Sequence, residues 1–198
     1  MRNYKAFTLA EVMITMAILG ILASVLLPAV SKVRPNENKA LFKKAYYVAE
    51  RMVSELVNDE SLYPMGEGTA VGLDNVSEVT YDGKQYKDSD KFCKLFAAKV
   101  NTINDNISCV PGSRTPTDSN VPSFITTDGI AWYMPYTDFD TDKSITVDVN
   151  GDKKPNCSYT ANTCINPDRF EIWIEPSGKM YVTGVKEREY LSSNKSMQ

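Results

Sequence analysis

The chain opens Met1-Arg2-Asn3-Tyr4-Lys5-Ala6-Phe7-Thr8-Leu9-Ala10-Glu11, and a hydrophobic stretch free of charge follows from Val12 to Val30. Nineteen residues in helical form span about 28 Å, close to the hydrocarbon thickness of a bilayer. A secretory signal has a shorter apolar core, roughly 7–15 residues, with small residues at a cleavage site just after it. Val12–Val30 is too long for that, and no A-x-A pattern follows it. A plain membrane anchor explains the length but not Glu11. A carboxylate at the edge of such a helix costs up to ~2.5–3.5 kcal/mol, depending on depth. A charge kept at that cost marks a pairing, and no Lys or Arg follows Glu11 until Lys32. A new amino terminus made by cutting before Phe7 would supply the cation.

With those residues in view, the block Ala6-Phe7-Thr8-Leu9-Ala10-Glu11 behind a short basic leader resembles the class III signal of type IV prepilins and type II secretion pseudopilins. The resemblance implies cleavage between Ala6 and Phe7 by a prepilin peptidase and N-methylation of Phe7. It also implies that Glu11 neutralises the terminal amine of a neighbouring subunit during assembly. Ala6 stands where the family usually carries Gly. Partners implied are further copies of the chain and related pilins, the peptidase, an inner-membrane assembly platform and, before assembly, the lipid bilayer. The implied location is a single pass through the inner membrane, leader cytoplasmic and head periplasmic, then a periplasmic or extracellular filament.

Charge and composition bear on the alternatives. The 198 residues carry a net charge of −3, which gives no basis for broad nucleic-acid contact. The chain has no His, which removes Ser-His-Asp triads, Cys-His pairs and His-based metal sites together. The competing readings are a membrane-anchored periplasmic enzyme or binding module, using the aspartates, and a DNA-uptake minor pilin. The second would use a lysine patch of Lys84, Lys87, Lys91 and Lys94.

Four cysteines, Cys93, Cys109, Cys157 and Cys164, lie in the polar C-terminal part. An even count there predicts two disulfides and an oxidising compartment, with three pairings open. The local pairs, Cys93–Cys109 and Cys157–Cys164, are favoured. Their spacings lack the C-x₂₋₄-C pair of a zinc site. The positive-inside count points the other way on topology, because Lys32, Arg34, Lys39, Lys43 and Lys44 follow the apolar stretch. The cysteines and the family topology are given precedence.

Beyond the apolar stretch, Leu41, Ala45, Val48, Met52 and Leu56 recur at helical spacing, with Phe42, Tyr46, Ala49 and Val53 beside them. Pro28 and Pro35 predict a bend or local break in one long helix. Asp90 or Ser89 reads as the cap of a short helix carrying Phe92, Leu95, Phe96 and Val100. Strand-like runs follow at Ile130–Met134, Ile145–Val149, Phe170–Glu175 and Lys179–Thr183, the last two joined by a Ser177-Gly178 turn. The expected fold class is α+β, a long N-terminal transmembrane helix packed on a small antiparallel sheet, the shape of a pilin-like roll. Its parts are a cleaved leader (1–6), an assembly helix (7–30), an amphipathic continuation (31–60) and a globular head (61–198).

No cofactor is required by this reading, and calcium is the one ion the sequence raises. Asp138, Asp140 and Asp142, then Asp148, Asn150 and Asp152, place carboxylates and an amide on alternate residues, as calcium loops do. The second run lacks the glycine and glutamate of an EF-hand, and Asn150-Gly151 is equally a hairpin turn. The stretch from Ile145 to Asn156, with Asp168-Arg169-Phe170 after it, is similar to a segment of many pseudopilin-like subunits. That likeness implies calcium for some of them.

Overall fold

The stripe that begins near Leu41 forms a helix, α2 (Glu37–Val57), and buries Phe42, Ala45, Ala49, Met52, Val53 and Leu56. The computed structural model describes residues 8–32, 37–64, 72–103, 107–109, 121–135, 138–151, 153–160 and 162–192, with side chains from 25 to 32 left out. Ala6, Phe7, Pro35 and Asp152 therefore lie outside the described residues. The chain divides into two compact units, residues 1–37 and 38–198.

The first unit carries α1 (Leu9–Lys32), whose backbone stays helical through position 28. Its apolar residues occupy every face, and Leu9, Met13, Ile14, Met16 and Ile21 are all at least 60% exposed. Among the described residues, no helix is long and apolar enough to cross a membrane.

The second unit is α+β. After α2 come a short hairpin of β1 (Val79–Tyr81) and β2 (Lys84–Tyr86), then α3 (Lys91–Lys99). A five-stranded antiparallel sheet follows, β3 (Phe124–Ile125), β4 (Ala131–Tyr133), β5 (Lys143–Asp148), β6 (Arg169–Ile174) and β7 (Met180–Tyr181), with neighbours in chain order. A last helix, α4 (Val185–Ser192), ends the fold. Period-two patterning sets the register: Ile145 faces Ile172 and Val147 faces Phe170, so one face of the central pair is apolar. That face meets α2, where the Phe42 and Phe170 rings stand 4.4 Å apart. The β6–β7 turn also closes on α2. Gly178 has φ +83°, and a Cβ there would lie 2.6 Å from Val57 Cγ2, so only glycine fits.

One sequence expectation changes. The helix that covers the sheet is α2, which begins at Glu37. Asp90 occupies the cap position of α3 but makes no side-chain cap hydrogen bond, since its carboxylate pairs with Lys94. Ser89 donates instead to Asp138 at 2.9 Å. The 73–88 region, which shows no clear period, forms the β1–β2 hairpin around Asp82-Gly83.

Both local disulfides form, with Cα–Cα separations of 5.9 Å for Cys93–Cys109 and 6.2 Å for Cys157–Cys164. The first ties α3 to the segment after it, from a cysteine that is fully buried. Lys91, at the start of α3, is 1% exposed. Its Nζ donates to the Asn75 carbonyl at 2.8 Å and sits 4.2 Å from the Tyr63 ring centroid. Burial lowers its pKa to about 8.

Two outcomes follow. Replacing Cys93 and Cys109 together by Ser should cost about 3 kcal/mol, read as a fall in melting temperature of about 6–12 °C under non-reducing conditions. Lys91 binds fewer protons folded than unfolded between about pH 8 and its ordinary pKa, so its contribution makes stability rise with pH across that window. Urea unfolding at several pH values should show the rise in the native chain and its loss in Lys91→Met.

Candidate functional site

α1 begins with a reciprocal pair of hydrogen bonds. The Thr8 N–H donates to Glu11 Oε2 at 2.8 Å, and the Thr8 hydroxyl donates to the same oxygen at 2.7 Å. In return, the Glu11 N–H donates to Thr8 Oγ1 at 3.3 Å. Thr8-Leu9-Ala10-Glu11 is thus a capping box, with Thr8 as N-cap and Glu11 three residues in. It satisfies donors that an α-helix leaves open at its start, and the negative charge complements the helix dipole. Glu11 therefore has a local structural role that sequence reading overlooked, although S/T-x-x-E before an apolar run is its signature. The box uses Oε2 alone, and Oε1 has no partner among the described residues.

The acidic stretch does not gather as the sequence predicts. Asp140 pairs with Lys143 at 2.6 Å, and Asp142 accepts from the Tyr181 hydroxyl at 2.6 Å. Asp138 accepts from Ser89. Among the described residues, no group of three His, Cys, Asp or Glu side chains could hold a metal ion. Asp148 and Asn150 are set apart from the first run, at the end of β5 and in the turn after it. Asp148 is 1% exposed and accepts from Arg169 Nε at 2.8 Å through Oδ2. Burial pushes its pKa up to about 6, against the pull of the Arg169 hydrogen bond. Its Oδ1 and the Asn150 Oδ1 are buried without a hydrogen-bond partner among the described residues.

Asp168 belongs to none of the sequence-predicted sites. It is fully buried, and its two oxygens accept from the Asn156 and Cys157 N–H groups at 2.8 and 2.7 Å. It thereby closes the loop that joins β5 to β6.

The lysine patch dissolves in the structure. Lys87 pairs with Glu78 at 3.4 Å, Lys94 pairs with Asp90, and Lys91 is buried. Two of the four cations are thus paired with neighbouring carboxylates and a third is buried, while Lys84 is exposed, so the patch offers little to phosphate as a unit.

Residues 1–27 match the model of the prokaryotic N-terminal methylation motif, the class III signal-peptide motif of type IV prepilins and pseudopilins. No curated protein and no solved structure matches the chain.

The capping box has its own test. Thr8→Val removes the hydroxyl that both donates and accepts, at a cost of about 1 kcal/mol at the helix start. In detergent micelles, amide exchange at Leu9 and Ala10 should speed up about fivefold in that variant. Glu11→Gln, which keeps the box, should leave exchange there much slower than Thr8→Val does.

Proposed function

We propose that this chain is the precursor of a structural subunit of a type IV pilus or a type II secretion pseudopilus. In this reading a prepilin peptidase cuts between Ala6 and Phe7 and methylates the Phe7 amine. The helix is held in the bilayer until polymerisation, when α1 packs among the α1 helices of other copies and related pilins. The peptidase and an assembly platform in the inner membrane are its partners.

The observation that carries the reading is the methylation motif over residues 1–27 continuous with a helix that is apolar on every face. A helix with polar residues on one side is completed by its own protein, whereas one that is apolar all round needs lipid or other helices. Exposed Leu9, Met13, Ile14, Met16 and Ile21 state that need in this chain. The two disulfides support a head outside the cytoplasm, where thiols are oxidised. A motif of this kind belongs to structural subunits, and it supports that role over catalysis.

Glu11 is the proposed assembly residue. Its capping box leaves Oε1 to face the methylated Phe7 amine of a neighbour, where two opposite charges at the edge of an apolar layer offset part of each other's desolvation cost.

Mass analysis of the protein from cells that carry the peptidase should find a chain beginning at methylated Phe7. A retained leader would remove the centre of the proposal. Glu11→Gln separates capping from charge, since glutamine serves a capping box equally well. Co-expressed with the native chain, Glu11→Gln should stay in the membrane fraction and be reduced at least tenfold in sheared filaments. Incorporation at the native level would show that the cap, not the charge, is what assembly requires.

A further inference from the structure

Two open backbone edges face one groove in the head, and we propose that this groove takes an extended, acidic segment of another protein by strand addition. The inference stands on the head alone and does not depend on the filament reading.

The first edge belongs to β2. Asp82 and Gly83 have φ of 48° and 71°, the left-handed pair of a two-residue type I′ turn. In such a hairpin the residues that flank the turn, Tyr81 and Lys84, exchange hydrogen bonds, and the next pair, Thr80 and Gln85, does not. The Gln85 N–H and C=O therefore point away from β1. Among the described residues β2 pairs with no other strand, so this edge is open.

The second edge is the chain that leaves α3. The Asn101 carbonyl accepts from the Thr127 N–H, and the Ile103 N–H donates to the Ile125 carbonyl, each at 2.9 Å. Thr102 stands opposite Thr126 between those two bonds. Its own N–H and C=O thus point to the other side, and neither makes a backbone hydrogen bond among the described residues.

Both edges line the same groove, whose volume of about 380 Å³ falls within the ~300–1,000 Å³ of ligand pockets. Lys84, Gln85 and Tyr86 all contribute to it. Three consecutive residues line a groove along the edge of a strand, since a face would offer alternate ones only. Thr102 and Ile107 line it from the other edge, and Ala97, Ala98 and Val100 supply its apolar surface. Each edge is held from behind. β1 backs the first, and the second is fixed where the Ser108 N–H donates to the Ser123 carbonyl at 2.8 Å and Cys109 is bonded to Cys93 of α3. A ligand therefore meets a groove that needs little ordering.

Water can serve an open backbone edge, so one such edge names no ligand. What selects a strand is that donors and acceptors in strand disposition border one groove from two edges, over an apolar surface. A small molecule would match one or two of them, whereas an extended backbone carries the same groups at every residue. Side chains set the polarity. Lys84 and Lys94 face a single carboxylate in the lining, Asp82. Lys94 is paired with Asp90, while Lys84 is exposed and makes no ion pair among the described residues. An acidic side chain flanked by apolar ones fits that lining, and a basic one would be repelled by Lys84.

The test uses the full chain in detergent and a fluorescein-labelled Val-Glu-Val-Glu-Val peptide, read by anisotropy. Saturable binding is expected, with Kd below about 1 mM. The same peptide N-methylated at its central valine lacks a main-chain donor and should bind about tenfold more weakly. Val-Lys-Val-Lys-Val should lose a similar factor, and Lys84→Glu should reverse the preference between the two peptides. Ala98→Trp fills the groove from an exposed position of α3 and should abolish binding at an unchanged melting temperature. If Ala98→Trp does not fold, Thr102→Pro takes its place, removing an N–H that points into the groove, and should weaken binding about tenfold. No saturable binding, equal binding of the N-methylated peptide, or undiminished binding in Lys84→Glu overturns the proposal. So does self-association of the full chain in sedimentation that Ala98→Trp removes, since the occupant would then be a second copy.

Discussion

The apolar stripe of α2 against the β5–β6 pair is the contact on which the head depends. A helix with a single apolar face gains nothing until that face is covered, and a two-faced sheet has the same need. Phe42, Ala45, Ala49 and Val53 are all fully buried, as are Ile145, Val147 and Ile172 across from them. Each large apolar side chain so buried contributes about 1.5–3 kcal/mol before conformational entropy is charged against it. The choice of alanine at positions 45 and 49 lets the helix approach closely enough for the Phe42 and Phe170 rings to touch. Register then follows, because a slip of one residue in β6 would turn Phe170, Ile172 and Ile174 away from the helix together. Outlying parts attach to that contact. Gly178 seats the β6–β7 turn on Val57, and Tyr190 of α4 packs 5.7 Å from Phe170.

Two consecutive helices of the same chain answer the problem of apolar burial in opposite ways. In α2 the apolar residues fall on one side, and the sheet supplies the cover. In α1 they fall on all sides, and the residues stay exposed in the isolated chain. No rearrangement of a sheet can cover a helix all the way round. The cover has to be a medium or an array, lipid in one case and identical helices in the other. The methylation motif lies at the head of this helix and not of the other, which links the processing chemistry to the element that lacks internal cover.

The amphipathic period of α2, the alternation in β5 and β6, and the Ser177-Gly178 turn were all legible, because each is a local pattern tied to burial. The β1–β2 hairpin was missed although Asp82-Gly83 signals such a turn, since its strands are three residues each and mostly polar. α4 was missed for a related reason: its exposed side is charged and it buries little besides Glu187 and Tyr190. The cysteine pairs were legible as a preference and are met by the geometry. The acidic region was legible only as composition. Spacing cannot tell an aspartate already spent on Lys143 or Tyr181 from one left over. Asp168 gains its role only when the loop closes.

Glu11 illustrates how a structural role and an assembly role can share one side chain. The capping box explains why an acceptor stands three residues after Thr8, but glutamate and glutamine satisfy a box alike. The helix dipole favours the charged form by about 0.3–1 kcal/mol. A carboxylate carried into an apolar layer costs up to ~2.5–3.5 kcal/mol. Capping and dipole together therefore leave most of the cost of the charge unexplained wherever the helix start is desolvated. A neutral residue would serve the isolated helix at least as well. The remaining difference is what a cation at the same depth would offset, and the proposed cleavage before Phe7 would create one on every subunit. The cap holds the carboxylate at the start of the helix, where in the proposed assembly its second oxygen would meet the amine of a neighbour.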